Sequence, residues 1–284
     1  MCEVILTESV GSSRRPWWLF VRGWVAVTGL LAVTALGGCE PVSAEPISLR
    51  GDVPSTLADG LVGYWKLDES SATEPVLDSS GQGGDGTPVN DPLPSPLVAP
   101  TKIRNSGSRV FNGVDQYIDL GNPAILNFQG PISIAAWVKA ASMPEDCRVV
   151  VGHGFRYGPS GEVSLRSGHG SCDPEGKPPS WQAGIFDGVD FFAATPIVEE
   201  DIGTWIHLTG TFDGKAWRLY RNATEVSELQ TTKGPFPFAA SWSIGGRVPL
   251  NPPSEPRVLD GSIDDVRLYN RALTPAEVMD LYNL

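Results

Sequence analysis

The chain has 284 residues with 21 basic and 33 acidic side chains, a formal net charge of −12. That balance excludes nucleic acid as a partner, because a phosphate backbone needs a basic face, and it leaves neutral or cationic partners or a bound cation. With 32 Gly and 25 Pro the chain is turn-rich, and it is long enough for one substantial β domain.

In chain order, Arg14, Arg15 and Arg22 precede an apolar run over 24–36. The run is too short and too rich in Gly and Ala for a membrane span, which takes about 20 apolar residues. A charged lead, a short apolar run and a small-residue exit form the pattern of a secretory signal. It ends at Leu36-Gly37-Gly38-Cys39, which resembles the lipobox of bacterial lipoproteins; that resemblance implies that Cys39 is lipidated and becomes the first mature residue. Residues 1–38 are then a signal peptide, 39–58 a tether of small residues and prolines, and 59–284 the domain. The mature chain carries 18 basic and 31 acidic side chains. Membrane contact is expected through the lipid alone. Glu40, in place of the Asp tied to inner-membrane retention, points to the outer membrane. Cys2 falls in the lead, so Cys147 and Cys172 remain. In an exported chain they most simply form one disulfide across 24 intervening residues, worth roughly 3 kcal/mol by chain entropy; the other reading is two buried free thiols.

Beyond residue 58, strand signals recur. Ile132, Ile134, Ala136 and Val138 alternate with Ser133, Ala135, Trp137 and Lys139, the period of a strand. Residues 205–212 alternate again, Asp213-Gly214 makes the turn, and 215–222 returns as the second arm of a hairpin. Further strands are expected over 61–67, 116–120, 148–152, 162–166, 182–186, 241–245 and 261–269. Residues 79–101 and 248–257 read as Gly/Pro-rich surface connections. Asn222-Ala223-Thr224 reads as a hairpin tip rather than a glycosylation site. Helix signals arrive once: Thr274-Pro275-Ala276-Glu277 is a capping box with Pro at the first helical position, and Val278, Leu281 and Tyr282 form an apolar stripe. The pattern is that of an all-β, two-sheet antiparallel jelly-roll sandwich with a short C-terminal helix.

Six ordered segments carry a family resemblance. They are Gly60-Leu61-Val62-Gly63-Tyr64-Trp65, Leu77-Asp78-Ser79-Ser80-Gly81, Phe111-Asn112-Gly113-Val114-Asp115, the strand over 132–139, the hairpin over 205–220, and Gly261-Ser262-Ile263-Asp264-Asp265-Val266-Arg267. Together the chain over 60–284 resembles the laminin-G-like, concanavalin-A-like jelly-roll family of bacterial surface proteins. The resemblance implies two packed antiparallel sheets whose concave face or rim binds glycans or proteins. The stretch 147–200 fits the pattern least, and its Cys147–Cys172 loop reads as this chain's own elaboration.

The clearest candidate chemistry is structural calcium. Alternation along 261–269 puts Asp264 on the side of Val266 and Leu268, expected to face the core, where a carboxylate needs a counter-charge or a cation. Asp68, Asp78 and Asp85, with the glycine loop over 81–86, could supply further oxygens to reach the 6–8 that calcium takes. Related laminarinase-type glucanases hold a structural calcium near an Asp similar to Asp264. The competing reading is that these carboxylates accept backbone or Arg hydrogen bonds without metal.

Catalytic signatures are missing. A retaining glycosidase needs two carboxylates about 5–5.5 Å apart, and no Glu-x-Asp-x-Glu triplet of the laminarinase type is present. Glu199-Glu200-Asp201 is contiguous and reads as a solvated turn. His207 reads as a structural histidine. His153 and His169 match no lyase set, although with Arg156, Tyr157 and Arg166 they flank a Gly-rich stretch. For binding, the candidates are Arg156, Tyr157, Trp181, Phe191 and Phe192, because aromatic faces stack on sugar rings and planar polar groups orient them; Trp65, Trp137, Trp205 and Trp217 read as core. The sequence therefore describes a lipid-anchored, non-enzymatic cell-surface module for a carbohydrate or a surface protein. A glycan-degrading lyase or hydrolase using 147–200, or a structural partner in a surface assembly, are the alternatives. Oligomeric state is not legible.

Overall fold

The computed structural model describes residues 55–82, 84–101, 106–155, 161–169, 176–249 and 257–284, all within the compact unit Ser48–Leu284. The signal and lipobox, Arg156, Tyr157 and Cys172 lie outside the described residues. Among the described residues no helix is long and apolar enough to cross a membrane.

The strands are β1 (Leu61–Trp65), β2 (Thr87–Val89), β3 (Leu93–Ser95), β4 (Ser108–Asn112), β5 (Tyr117–Gly121), β6 (Ile132–Ala140), β7 (Arg148–Phe155), β8 (Gly161–Gly168), β9 (Ser180–Phe186), β10 (Asp190–Pro196), β11 (Ile206–Phe212), β12 (Ala216–Arg221), β13 (Thr224–Gln230), β14 (Trp242–Ile244) and β15 (Asp260–Tyr269), followed by helix α1 (Pro275–Tyr282). They form two antiparallel sheets. The eight-stranded sheet runs β13-β12-β11-β6-β15-β4-β3 with β1 also on β15, and the seven-stranded sheet runs β10-β9-β8-β7-β14-β5-β2. The jelly-roll sandwich expected from the alternating pattern is present.

Alternation decides what each face holds. On β6, Ile132, Ile134, Ala136 and Val138 point into the core between the sheets. On β8, Val163 and Leu165 do the same, opposite Ile185 and Ala183 of β9. At one point the sheets touch closely: a Cβ on Gly210 of β11 would lie 2.4 Å from the Cβ of Ala183. The β12–β13 hairpin turns at Asn222 and Ala223, both at positive φ (49° and 61°), as the two-residue tip requires.

A second apolar layer covers the outer face of the eight-stranded sheet. Thr274 caps α1 reciprocally with Glu277, and Val278 and Leu281 pack with Leu57, Ala135, Tyr220 and Tyr269. Tyr282 stacks on Trp137 with ring centroids 5.4 Å apart. Leu57 belongs to a 3₁₀ turn over Ser55–Ala58, and the Thr56 carbonyl accepts a hydrogen bond from Arg271 at 2.7 Å. Residues 55–58, expected within the tether, thus pack onto the domain through buried Leu57.

A further expectation is corrected. Residues 79–101 are more than a connection, since β2 and β3 lie there as short edge strands. The stretch 147–200 supplies β7, β8, β9 and β10, four neighbouring strands of one sheet.

Candidate functional site

The four aspartates expected to share calcium do not converge. Asp78 accepts hydrogen bonds from the Tyr64 and Ser80 amides, each at 2.9 Å, from the Ser80 hydroxyl at 2.7 Å and from the Gly84 amide at 3.2 Å. Those bonds outweigh its partial burial and hold its carboxyl below the usual range. Asp85 accepts from the Asp78 amide at 2.8 Å, and Asp68 accepts from the Ser106 and Gly107 amides, each at 2.8 Å. Asp264 does not face the core. A bulge between Asp264 and Arg267, with Asp265 at φ 50°, breaks the alternation, so Ile263, Val266 and Leu268 point inward. Asp264 stands opposite Trp137 on the outer face and accepts from the Ala99 amide at 2.8 Å. No group of three or more His, Cys, Asp or Glu able to hold a metal exists among the described residues. These carboxylates organise turns, and they do not fit a shared calcium.

The aromatic candidates also separate. Trp181 is fully buried in the core, and its indole N–H donates to Asp201 at 3.1 Å. It cannot offer a ring face to a sugar. Asp201 is itself buried and ion-paired to Arg221, so the acidic turn over Glu199–Asp201 is solvated only in part. Phe191 stands opposite Ile185 and packs against the core. Phe192 lies on the other face of β10, with the Arg166 guanidinium 3.8 Å above its ring. His153 is buried between Phe238 and Trp242, at centroid distances of 4.1 and 4.8 Å, and its Nε2 lies 2.9 Å from the Ala240 carbonyl. Burial pushes His153 down to about 4 and His207 to about 3.

Arg166 belongs to a polar network that sequence reasoning missed, on the outer face of the seven-stranded sheet. Glu162, Ser164 and Arg166 alternate along β8 on that face. Glu162 bonds Arg166 at 3.1 Å, Arg247 at 2.5 Å and the Ser164 hydroxyl at 2.9 Å, and Arg166 also donates to Gln182 at 3.0 Å. Burial would raise the Glu162 pKa, but the two guanidinium groups outweigh it and hold the carboxyl at about 2. The network is buried: Glu162, Arg166 and Arg247 are each about 1% exposed, and Arg166 also reaches Asp190 at 3.6 Å. The signal for it was present, since Glu162-x-Ser164-x-Arg166 is an alternating charged row, but Arg247 lies 85 residues away.

The open site is a cleft of about 280 Å³ at the rim, where the ends of β4, β6, β7 and β15 and the loop after β6 meet. Its floor is Ala140, Leu259, Trp181 and Ser167, all buried. Its mouth is formed by Asn112, Ser142, Glu145, Arg148 and Asp260, with Met143 beside them. The Asn112 side chain is spent on its own turn, accepting from the Val114 and Asp115 amides at 2.9 and 3.1 Å. The Ser142 hydroxyl donates to Asp260 Oδ2 at 2.7 Å. An ion pair between Asp146 and Arg257 at 2.6 Å holds the loop to the strand entry. Neither Glu145 nor the Arg148 guanidinium has an ion pair among the described residues. The cleft thus offers two carboxylates and one guanidinium with hydrogen-bonding capacity to spare. Cys147 is buried at the end of this loop.

No curated protein matches the chain in sequence. Several solved structures share the fold. Domain 4 of AbnA, a GH43 extracellular arabinanase from Geobacillus stearothermophilus solved in complex with arabinotriose, aligns at a TM-score of 0.54 and 24% identity over 78% of this chain and 98% of that one. The binding domain of Paraclostridial Mosquitocidal Protein 1 aligns at 0.57 and 15% identity, over 80% and 52%. Trypanosoma rangeli sialidase with the inhibitor DANA aligns at 0.55 and 17% identity over 81% of this chain, which spans 33% of the sialidase. At these identities the likeness is one of fold. The sequence over residues 112–279 matches the Laminin_G_3 family model. With that match covering more than half of its length, the chain belongs to the concanavalin A-like lectin/glucanases superfamily.

Proposed function

We propose that the protein is a non-catalytic glycan-binding module, anchored to the outer membrane by a lipid on Cys39, that seats a sugar in the rim cleft. The observation that carries this reading is the set of spare polar groups at the mouth: Glu145, Asp260 and Arg148 above an apolar floor. A sugar hydroxyl both donates and accepts, so a carboxylate and a guanidinium side by side can hold a vicinal pair of hydroxyls. The fold shared with an arabinanase domain solved with arabinotriose supports the same reading. A Cys147–Cys172 disulfide, in this reading, stiffens the cleft wall. Glu162 itself is no candidate general acid. A general acid must carry a proton near working pH, and Glu162, held at about 2 by two arginines, does not.

A second reading rests on the same cleft, because Glu145 and Asp260 both border it and could act as a hydrolytic pair. A glycan array followed by reducing-sugar assays on the bound glycans separates the two. Retention without release of reducing ends is the expected result, and release abolished by Glu145→Gln would sink it. For the anchor, Cys39→Ser is expected to leave an unlipidated chain in the aqueous phase of a detergent partition.

A further inference from the structure

The shape of the rim cleft says how a glycan must enter it. The floor residues Ala140, Leu259 and Trp181 belong to the sandwich itself; Trp181 and Leu259 are part of the core between the sheets. A chain cannot thread past them, because beyond them lies packed protein. The walls come from the turn after β4 on one side and the loop over 141–147 on the other. Both are pinned: the Gly113 amide donates to the Leu259 carbonyl at 3.1 Å, Ser142 bonds Asp260 and Asp146 bonds Arg257. With about 280 Å³ of space, the cleft lies just below the range for small-molecule pockets, roughly 300–1,000 Å³. That accommodates one or two sugar rings and no more.

The charges at the mouth define the ligand further. Two carboxylates, Glu145 and Asp260, face one guanidinium, Arg148, on a chain of net charge −12. An anionic sugar such as a uronate or a sialate would bring a third negative charge to this mouth, and like charges close together cost free energy. A neutral sugar adds none.

From these observations we infer that the cleft recognises the end of a neutral oligosaccharide, taking the terminal one or two residues and leaving the rest of the chain in solvent. This rests on the glycan-binding reading of the cleft and adds to it the mode of entry and the charge of the ligand. A side-on groove and an end-on pocket differ in one measurable respect. In a groove each added sugar unit finds new contacts, so affinity climbs with chain length. In a blind pocket it stops climbing once the pocket is full.

The test is calorimetric titration of the full chain in detergent with arabino-, xylo- and cello-oligosaccharides of two to six units, and with sialyllactose. The expected result is binding of at least one neutral series with dissociation constants that agree within about threefold from two to six units, and at least tenfold weaker binding of sialyllactose. Asp260→Asn and Arg148→Ala, checked for unchanged melting temperature, are expected to weaken every length of the bound series by the same factor, about tenfold or more, which corresponds to 1.4 kcal/mol. Affinity rising steadily to five or six units would overturn end-on entry while leaving glycan binding intact. Preference for sialyllactose would overturn neutral selectivity. Silence toward every series would remove the glycan-binding reading as well.

Discussion

Burying Glu162 between Arg166 and Arg247 reverses what desolvation alone would do to a carboxyl group. Removing it would take a shared carboxylate from two guanidinium groups in a nearly dry site. Glu162→Ala is therefore expected to cost about 3–5 kcal/mol in chemical denaturation, whereas a shift below about 1 kcal/mol would mean that solvent reaches the network. His153 makes the opposite kind of prediction. Its folded-state pKa, about 4, lies below the ordinary histidine value of 6.5 because burial disfavours the charged ring. Between those two values the unfolded chain takes up a proton that the folded chain does not. Stability should therefore fall as pH drops from about 6.5 and level off near 4, by on the order of 3 kcal/mol. His207 adds a similar slope reaching to about 3. His153→Phe keeps the stack on Phe238 and Trp242 and should flatten part of this slope in melting curves recorded between pH 7 and pH 4; an unchanged slope would clear His153 of the role. At this scale the sequence was half legible. The alternating charges of β8 could be read from it, but the depth of Trp181, His153 and Asp201 could not, because burial depends on which strands lie across the sandwich.

Elements were read best where their neighbours are close in sequence. The capping box at Thr274, the strand over 132–139 and the hairpin tip at Asn222 and Ala223 all depend on contacts within a few residues, and all are present. Edge strands were lost. β3 and β13 are half exposed, and their mixed burial blurs the two-residue period. The bulge at Asp265 hid the true facing of Asp264, since one extra residue sends every later side chain to the other face. Sheet packing offers a sharp check at this scale. Gly210 lets β11 touch Ala183 of β9, and any added carbon there would meet it at 2.4 Å. Gly210→Ala is expected to destabilise the fold by about 1–3 kcal/mol through overpacking, read as a lowered denaturation midpoint. A neutral outcome would mean that the sheets separate at little cost.

For the molecule as a whole, the scattered aspartates carry a clear expectation. Each carboxylate is already engaged by backbone amides, so EDTA should leave the melting temperature unchanged; a drop of several degrees would restore a calcium site. Acidic charge, two-residue alternation, six ordered motifs and one capped helix were enough, without coordinates, to determine the sandwich and its family, because a jelly roll is written in local periodicity and turn chemistry. The rim cleft was not. Asn112, Ser142, Glu145, Arg148, Ser167, Trp181 and Asp260 come from five strands and one loop, and no spacing in the chain links them. Only the meeting of β4, β7, β8, β9 and β15 with the loop after β6 at one end of the sandwich brings them together. A site assembled from strand ends depends on which strands become neighbours, and that is decided by the packing of the two sheets.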